Sequence, residues 1–283
     1  MMNVLVTGSN GQLASCIKDH AKQYDGLNFI YTDYEELDIC NLNDLEEFFK
    51  TNQKIDYCIN CAAYTAVDKA ESEVEKAFEI NATGPKNLAQ VCSEFDTILI
   101  QISTDFVFDG EKTEPYVETD VANPISVYGA SKLKGEVEIQ KILKEHFIIR
   151  TSWLYSEHGN NFMKTMLRLA ETHDEISVVS DQIGTPTYAG DLADVILKII
   201  NSKNTNFGLY HYSSEGVASW YDFAKAIFEA SNTEIRLNPI KAEGYPTPAK
   251  RPVYSVMDKT KIKSVLGIEI QFWDDHIKTI INI

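Results

Sequence analysis

The sequence predicts an α/β protein in which a doubly wound parallel sheet carries a smaller α+β region at its C-terminal side. Three observations carry that prediction. In the first half, short runs that are apolar throughout alternate with helix-length segments, the pattern of parallel strands covered by helices on both faces. The first such run ends in a glycine-rich turn that opens a helix. The second half is less regular and contains a proline-rich stretch that fits neither a helix nor a central strand.

The elements follow in order. Val4-Leu5-Val6 is the first strand, and residues 12–22 form a helix. Phe29 to Thr32 is the second strand and Leu42 to Lys50 the second helix. Tyr57 to Cys61 is the third strand. Residues 72–93 are helical, with Gly84-Pro85 marking a bend. Thr97 to Ser103 is the fourth strand, residues 127–145 a helix, and His146 to Thr151 the fifth strand. Beyond these, Asn161 to Thr172, Gly190 to Asn201 and Trp220 to Ala230 are expected to be helical. Ile176 to Ser180 and Gly208 to Tyr212 are expected to be strands. Tyr245 to Pro252 is expected to be an ordered surface loop.

Composition narrows the functions available. The chain has 283 residues, 44% of them hydrophobic and 24% charged, ample for a sizeable core without disulfides or a structural metal. Lys and Arg number 26 against 42 Asp and Glu, a net charge of −16. No basic stripe offsets this, so nucleic acid is excluded as a partner. An anionic ligand would need backbone dipoles or a few local cations. No stretch approaches the ~20 apolar residues of a membrane span, and the N-terminus lacks a signal-peptide pattern, so a cytoplasmic location is expected. The five cysteines are Cys16, Cys40, Cys58, Cys61 and Cys92. Cys58-Ile59-Asn60-Cys61 sits within a strand-like run and not at a helix start, so it is expected to hold buried free thiols and no redox or zinc centre. No metal ligands are expected.

Thr7-Gly8-Ser9-Asn10-Gly11-Gln12-Leu13-Ala14 follows the first strand. Glycines there allow a tight turn and a close approach of backbone to a diphosphate, and the helix N-terminus adds N–H groups and a positive dipole end. The spacing is G-x-x-G-x-x-A rather than the usual G-x-G-x-x-G. Asp33, after the second strand, is placed to bond the adenosine ribose and to disfavour a 2′-phosphate. Asp38-Ile39 could cap the adenine end.

Tyr128 and Lys132 lie four residues apart at a helix start, on one face. A lysine cation beside the phenol would favour the phenolate and could hold the nicotinamide ribose. Ser103-Thr104-Asp105 ends the fourth strand, the end at which open α/β sheets bind ligands, and a hydroxyl there could bond a substrate carbonyl.

These features together resemble the extended short-chain dehydrogenases/reductases with a Rossmann-like fold, and within them the dTDP-4-dehydrorhamnose reductases. The likeness is carried by Cys61-Ala62-Ala63-Tyr64-Thr65-Ala66-Val67-Asp68-Lys69-Ala70-Glu71, Ser103 to Gly110, Arg150-Thr151-Ser152-Trp153, Gly159-Asn160-Asn161-Phe162 and the Tyr245–Pro252 loop. It implies that Tyr128 is the proton donor, Lys132 its partner, and Thr104 the hydroxyl that orients the carbonyl. Gly8, Asn10, Gly11, Gln12, Leu13, Asp33, Asp38, Ile39, Cys61, Ala62, Ala63, Tyr64 and Thr65, with Tyr128 and Lys132, would bind NADPH or NADH. Thr104, Asp105, Tyr128 and Trp153 would contact a dTDP-sugar, and Lys250 and Arg251 its diphosphate.

The implied reaction is reduction of a nucleotide-sugar C4 ketone. The implied domains are residues 1–153 for the dinucleotide, with 174–218 returning to it in part, and 154–173 with 219–283 for substrate. A homodimer is a further possibility. Two positions depart from the usual pattern: Phe106 replaces a tyrosine and Tyr64 a histidine. The Ala14-Ser15-Cys16-Ile17 stretch lacks the acid that some relatives use in a metal-assisted dimer. Alternatives are a reductase of another nucleotide 4-ketosugar and a non-catalytic regulatory subunit like the methionine adenosyltransferase β subunit. A dehydratase would need an acid where Phe106 stands.

Overall fold

The computed structural model describes residues 1–281. The first half is β1 (Met2–Thr7), α1 (Gln12–Ala21), β2 (Leu27–Thr32), α2 (Leu42–Thr51), β3 (Tyr57–Asn60), α3 (Val67–Ala70), α4 (Val74–Phe78), α5 (Gly84–Glu94), β4 (Ile98–Thr104), α6 (Val127–Ile142) and β5 (His146–Thr151). The second half adds β6 (Leu154–Tyr155), α7 (Phe162–Ala170), β7 (Glu175–Val179), β8 (Ile183–Gly184), β9 (Thr187–Tyr188), α8 (Ala189–Asn201), β10 (Gly208–His211), β11 (Ala218–Ser219), α9 (Trp220–Ala230), β12 (Arg236–Ile240), α10 (Thr260–Leu266) and α11 (Ile277–Ile281).

Six parallel strands form the main sheet in the order β10-β5-β4-β3-β1-β2. The chain leaves β1 toward β2 and then crosses back to β3, so the strand order reverses between β1 and β3. A crevice opens at such a switch point, outside the carboxyl ends of the strands. Because successive side chains point to opposite faces, Val4 and Val6 join α1 and α8 in one core, while Leu5 joins α2, α5 and α6 in the other. Continuous apolar runs therefore serve two cores at once.

The predicted bend near Gly84-Pro85 takes the form of a π-helical turn over Glu79–Thr83, joining α4 to α5. Pro85 then sits in the first turn of α5, where its missing N–H costs nothing. The turn brings the Asn81 side chain inward. Its Oδ1 accepts from Tyr64 N at 2.8 Å, and its Nδ2 donates to Tyr64 O and to Ser131 Oγ, each at 3.0 Å. The turn is thereby tied both to the segment after β3 and to α6.

The smaller region has its own core, in which Tyr155, Met163, Met166, Ile176, Val178, Phe223, Ile227 and Ile277 pack together. β7 pairs in parallel with β12, whereas α8 packs on α1 and β10 joins the main sheet. The residues after 174 thus divide between the two cores. The sequence reading leaves out β12, whose Pro239 argues against a strand. As one of only two strands in its sheet, β12 can leave the proline edge unbonded. Tyr245 to Pro252 holds no regular strand or α-helix, as expected of that loop. Among the described residues, no helix is long and apolar enough to cross a membrane.

Helix α6 lies unusually close to its neighbours. A Cβ on Gly135 would run into the Asn81 carbonyl oxygen, which is backbone and cannot swing away. Intrinsic propensity favours alanine over glycine inside a helix by about 1 kcal/mol, but overpacking at a rigid contact costs about 1–3 kcal/mol. Gly135→Ala is therefore expected to lower stability in urea or guanidinium unfolding; a stabilised variant would contradict the contact.

Candidate functional site

A cleft of about 1120 Å³ opens at the carboxyl ends of the main-sheet strands, above the roughly 300–1,000 Å³ of common small-molecule pockets. It has room for a dinucleotide and a second ligand. Its floor is the turn between β1 and α1. Gly8 has φ +65°, and a Cβ there would lie 2.6 Å from Ala62 N, so only glycine lets the turn fit against the segment after β3. Gly11 caps α1, yet no side chain bonds the free N–H groups of the first turn, and that turn carries no acid. Those donors and the dipole end remain available to an anion.

The cleft is pinned from two sides. Asp33 Oδ2 accepts from Asn10 N at 2.8 Å, and Oδ1 from Tyr34 N at 2.8 Å, which binds the turn to the end of β2. Gln12 donates to Leu154 O at 3.2 Å and accepts from Asn161 Nδ2 at 2.8 Å, which binds the start of α1 to the loop before α7. The glycine cradle, the uncapped helix end and the acid after β2 fit a dinucleotide.

The opposite wall is the first turns of α6. Ser126 caps the helix by accepting from Gly129 N at 3.2 Å, and Glu71 Oε1 accepts from Val127 N at 2.8 Å. Tyr128 and Lys132 face the cleft from successive turns, across from Thr104 at the end of β4. The Phe106 ring meets Tyr128 edge-on, with centroids 5.6 Å apart, so ring packing is kept where the usual tyrosine hydroxyl is missing. Burial pushes the Tyr128 phenol up to about 12, helped by the Asp105 charge and opposed by the Thr104 hydroxyl. Lys132 is buried, donates to Ile102 O at 2.7 Å, and is pushed down to about 8 by that burial, against the Glu136 carboxylate. The expected pull of Lys132 on Tyr128 toward the phenolate is therefore absent from this geometry. The lysine charge is turned to a backbone carbonyl, and the phenol keeps its proton at neutral pH.

Of the sequence-derived site residues, Gly8, Asn10, Gly11, Gln12, Leu13, Asp33, Asp38, Ile39, Cys61, Ala62, Ala63, Thr65, Thr104, Tyr128, Lys132 and Trp153 line this one cleft. Tyr64 and Asp105 do not. Tyr64 packs with Ala70 and Ala77, and its hydroxyl donates to Glu73 Oε2 at 2.9 Å. Asp105 is 2% exposed and accepts from Thr104 Oγ1 at 3.0 Å. Arg251 is engaged elsewhere, with Nη2 2.8 Å from Asp68 Oδ2, while Lys250 is exposed.

All five cysteines are free. Cys16, Cys58 and Cys92 are buried, but Cys61 and Cys40 are half-buried and line the cleft. Cys61 differs from the buried-thiol expectation because β3 ends at Asn60, one residue short of it. The fold brings Cys16, Glu157 and His158 within 4.8 Å of one another. Burial holds the Cys16 thiol up near 12, and His158 Nε2 bonds Asp19 Oδ2 at 2.7 Å.

Sequence reasoning missed several lining residues, among them Tyr34, Lys76, Glu79, Ile80 and Leu154. Glu79 and Ile80 reach the cleft through the π-helical turn, which leaves no mark in hydrophobic periodicity. Trp153 also carries an unread feature. Its φ is +45°, costly for a bulky residue, and its ring stacks on Trp220 with centroids 3.6 Å apart. A Cβ on Gly184 would lie 2.6 Å from that ring.

Residues 2–283 match the family described as RmlD substrate binding domain. A dTDP-4-dehydrorhamnose reductase of Aggregatibacter actinomycetemcomitans is 41% identical, over 99% of this chain and 98% of its own. The crystal structure of a dTDP-4-dehydrorhamnose reductase from Clostridium acetobutylicum superposes with a TM-score of 0.95 at 44% identity, covering 99% of both chains. One from Bacillus anthracis, in complex with NADP, superposes with a TM-score of 0.94 at 38% identity, again over 99% of both chains.

Asp105 offers a stability test. Burial raises its carboxyl from 3.8 to about 6, against the Ser255 and Thr104 hydroxyls. A raised folded-state value means that the proton-linked stability is present below about pH 4 and is lost as pH rises through 6. Asp105→Asn removes the buried charge, and is expected to raise unfolding free energy at pH 7.5 by on the order of 1–3 kcal/mol, with the gain shrinking at pH 4. An equal difference at both pH values would show that ionisation plays no part.

Proposed function

The chain belongs to the RmlD substrate binding domain family, and on that premise we propose that it reduces the C4 ketone of dTDP-4-dehydro-β-L-rhamnose to give dTDP-L-rhamnose with NADPH or NADH. The observation that carries the reading is the convergence of Tyr128, Lys132 and Thr104 on the cleft floored by the glycine turn and the N-terminus of α1.

The bound dinucleotide supplies the hydride for the C4 carbon. The chain supplies position, charge and a proton. Gly8, Asn10 and Gly11 shape the turn against which the diphosphate lies, and the uncapped N–H groups of Gln12 and Leu13 at the start of α1 face it, which is how a chain of net charge −16 holds an anion. Asp33, Asp38, Ile39, Cys61, Ala62, Ala63 and Thr65 line the remainder of the dinucleotide, with Tyr64 backing the same segment. Lys132 holds the nicotinamide ribose.

Thr104 Oγ1 donates to Asp105 Oδ1 in the structure, and on substrate binding its one proton turns to the carbonyl oxygen. Tyr128 keeps its proton at neutral pH because burial raises its phenol, and it gives that proton to the C4 oxygen as charge develops there. Trp153, held on Trp220, forms the wall against the deoxysugar. In this reading residues 1–153, with part of 174–218, bind the dinucleotide, and 154–173 with 219–283 bind the sugar nucleotide. Five free cysteines fit a reducing, cytoplasmic location. A homodimer, without the metal bridge for which the Ala14-to-Ile17 stretch has no acid, belongs to the same proposal and is to be read from the mass in solution.

The test is NADPH and NADH oxidation followed at 340 nm with enzymatically prepared dTDP-4-dehydrorhamnose. Substrate-dependent oxidation yielding dTDP-rhamnose is the expected result. No oxidation despite dinucleotide binding would reject this sugar and point to another nucleotide 4-ketosugar. Tyr128→Phe is expected to lower turnover by about 10²- to 10⁴-fold with dinucleotide affinity nearly unchanged. Full activity in that variant would remove Tyr128 from the mechanism.

A further inference from the structure

NADH and NADPH differ by a single phosphate on the adenosine ribose, which adds a charge of about −1.5 to −2 and three acceptor oxygens. With the diphosphate at the N-terminus of α1, that ribose falls at the carboxyl end of β2, the strand beside β1 in the sheet. The turn there reads Asp33-Tyr34-Glu35-Glu36, three acids and no cation. Asp33 is bonded on both oxygens, Oδ2 to Asn10 N and Oδ1 to Tyr34 N. Two backbone N–H groups offset part of its charge, and each oxygen keeps a lone pair for a ribose hydroxyl. Glu36 is folded back against Asp33. Its N donates to Asp33 O at 3.1 Å, and its Oε2 accepts from Asp33 N at 2.9 Å. A second carboxylate is thereby held at the strand end, and its Oε1 has no hydrogen-bond partner among the described residues.

We propose that Glu36 is a specificity-determining residue: its carboxylate, held beside Asp33, turns the 2′-phosphate away and makes NADH the preferred reductant of this chain. The inference rests on the dinucleotide role proposed for the cleft and names which dinucleotide it takes.

The cations of the cleft are placed elsewhere. Among the described residues its lining holds two lysines and no arginine. Lys132 lies on the opposite wall and donates to Ile102 O at 2.7 Å. Lys76 stands on α4, which follows β3, and β1 separates β3 from β2 in the sheet. Its Nζ is 3.9 Å from Glu73 Oε2 and lies over the Tyr64 ring. Lys18 on α1 donates to Ser9 O at 3.0 Å and lies over the Tyr31 ring, outside the cleft lining. The other charged residues of the lining, Asp38 and Glu79, are acids. The uncapped N–H groups of α1 serve the diphosphate and leave none for a further phosphate.

Glu36→Gln keeps an acceptor for Asp33 N and removes the charge, and Glu36→Lys reverses the charge. Dissociation constants for NADH and NADPH are read by fluorescence without sugar, together with kcat/KM for each cofactor. Wild type is expected to favour NADH by about tenfold, as for two carboxylates facing a phosphate near water. That preference should fall about threefold in Glu36→Gln and about tenfold in Glu36→Lys, chiefly through tighter NADPH binding. In wild type it should also shrink between about 0.1 M and about 1 M salt, because Glu36 is exposed and its charge is screened.

Wild type that binds NADPH as tightly as NADH would overturn the proposal. So would an unchanged ratio in both Glu36 variants, which would leave the choice to Asp33 alone. Equal weakening of both cofactors would reduce Glu36 to a prop for the turn and overturn it too. Should the proposed function fail instead, wild type would oxidise neither cofactor with the ketosugar, while the ratio of the two dissociation constants would still report on Glu36.

Discussion

The close seating of α6 is the constraint on which the site depends. Gly129 lies against the Phe106 carbonyl and Gly135 against the Asn81 carbonyl, and neither position leaves room for a Cβ. These two backbone contacts bracket Lys132, and the first lies directly beside Tyr128. They set the distance between the helix and the end of β4, and hence between the phenol and Thr104. Ser126 and Glu71 fix the start of the helix, and Asn81 ties its middle to the π-helical turn. A shift of about 1 Å in such an arrangement is enough to cost orders of magnitude in rate. The crowding is thus what holds the proposed reacting groups in place.

Charge is handled locally in a strongly acidic chain. The anion site uses uncapped N–H groups and a helix dipole, with no acid in the first turn of α1. The opposite wall buries one lysine, one glutamate and one arginine within two adjoining turns and a strand. The same burial that pushes Tyr128 up pushes Lys132 down. For a reduction these directions are compatible. The donor must carry its proton at neutral pH, and the lysine must stay charged only through the working range.

The sequence made the main sheet legible because β1, β3, β4 and β5 are apolar on both faces and separated by helices of ordinary length. The cleft was legible for a similar reason: glycine turns, a Tyr-Lys pair and a strand-end threonine are local patterns with local meanings. The rest depends on distant contacts. β7 pairs with β12 across 60 residues, as in the bond from Ser180 to Ile240, and β12 contains a proline that hides it. The Cys61 expectation missed by one residue, because pairing, and not hydropathy, ends a strand. The long Ala63-to-Glu71 string read as a family mark, but its individual jobs are tertiary. Glu71 holds the N-terminus of α6, and Asp68 holds the Pro-rich loop.

That last contact bears on how the sugar nucleotide is recognised. Arg251 was a candidate for the substrate diphosphate, yet its guanidinium bonds both oxygens of Asp68 and the hydroxyl of Thr247. The arginine lowers the Asp68 carboxyl below the usual range, so the pair stays ionised at neutral pH. A guanidinium already committed to a carboxylate offers a diphosphate less than a free one would. Its role in this geometry is to fasten the loop from the smaller region onto α3 of the larger one. In the proposed reading the sugar end is then shaped chiefly by aromatic surface: Trp153, strained at the backbone, is held flat on Trp220 and admitted by the missing side chain at Gly184. Stored strain at a wall that faces the cleft is worth its cost where shape, more than charge, must discriminate.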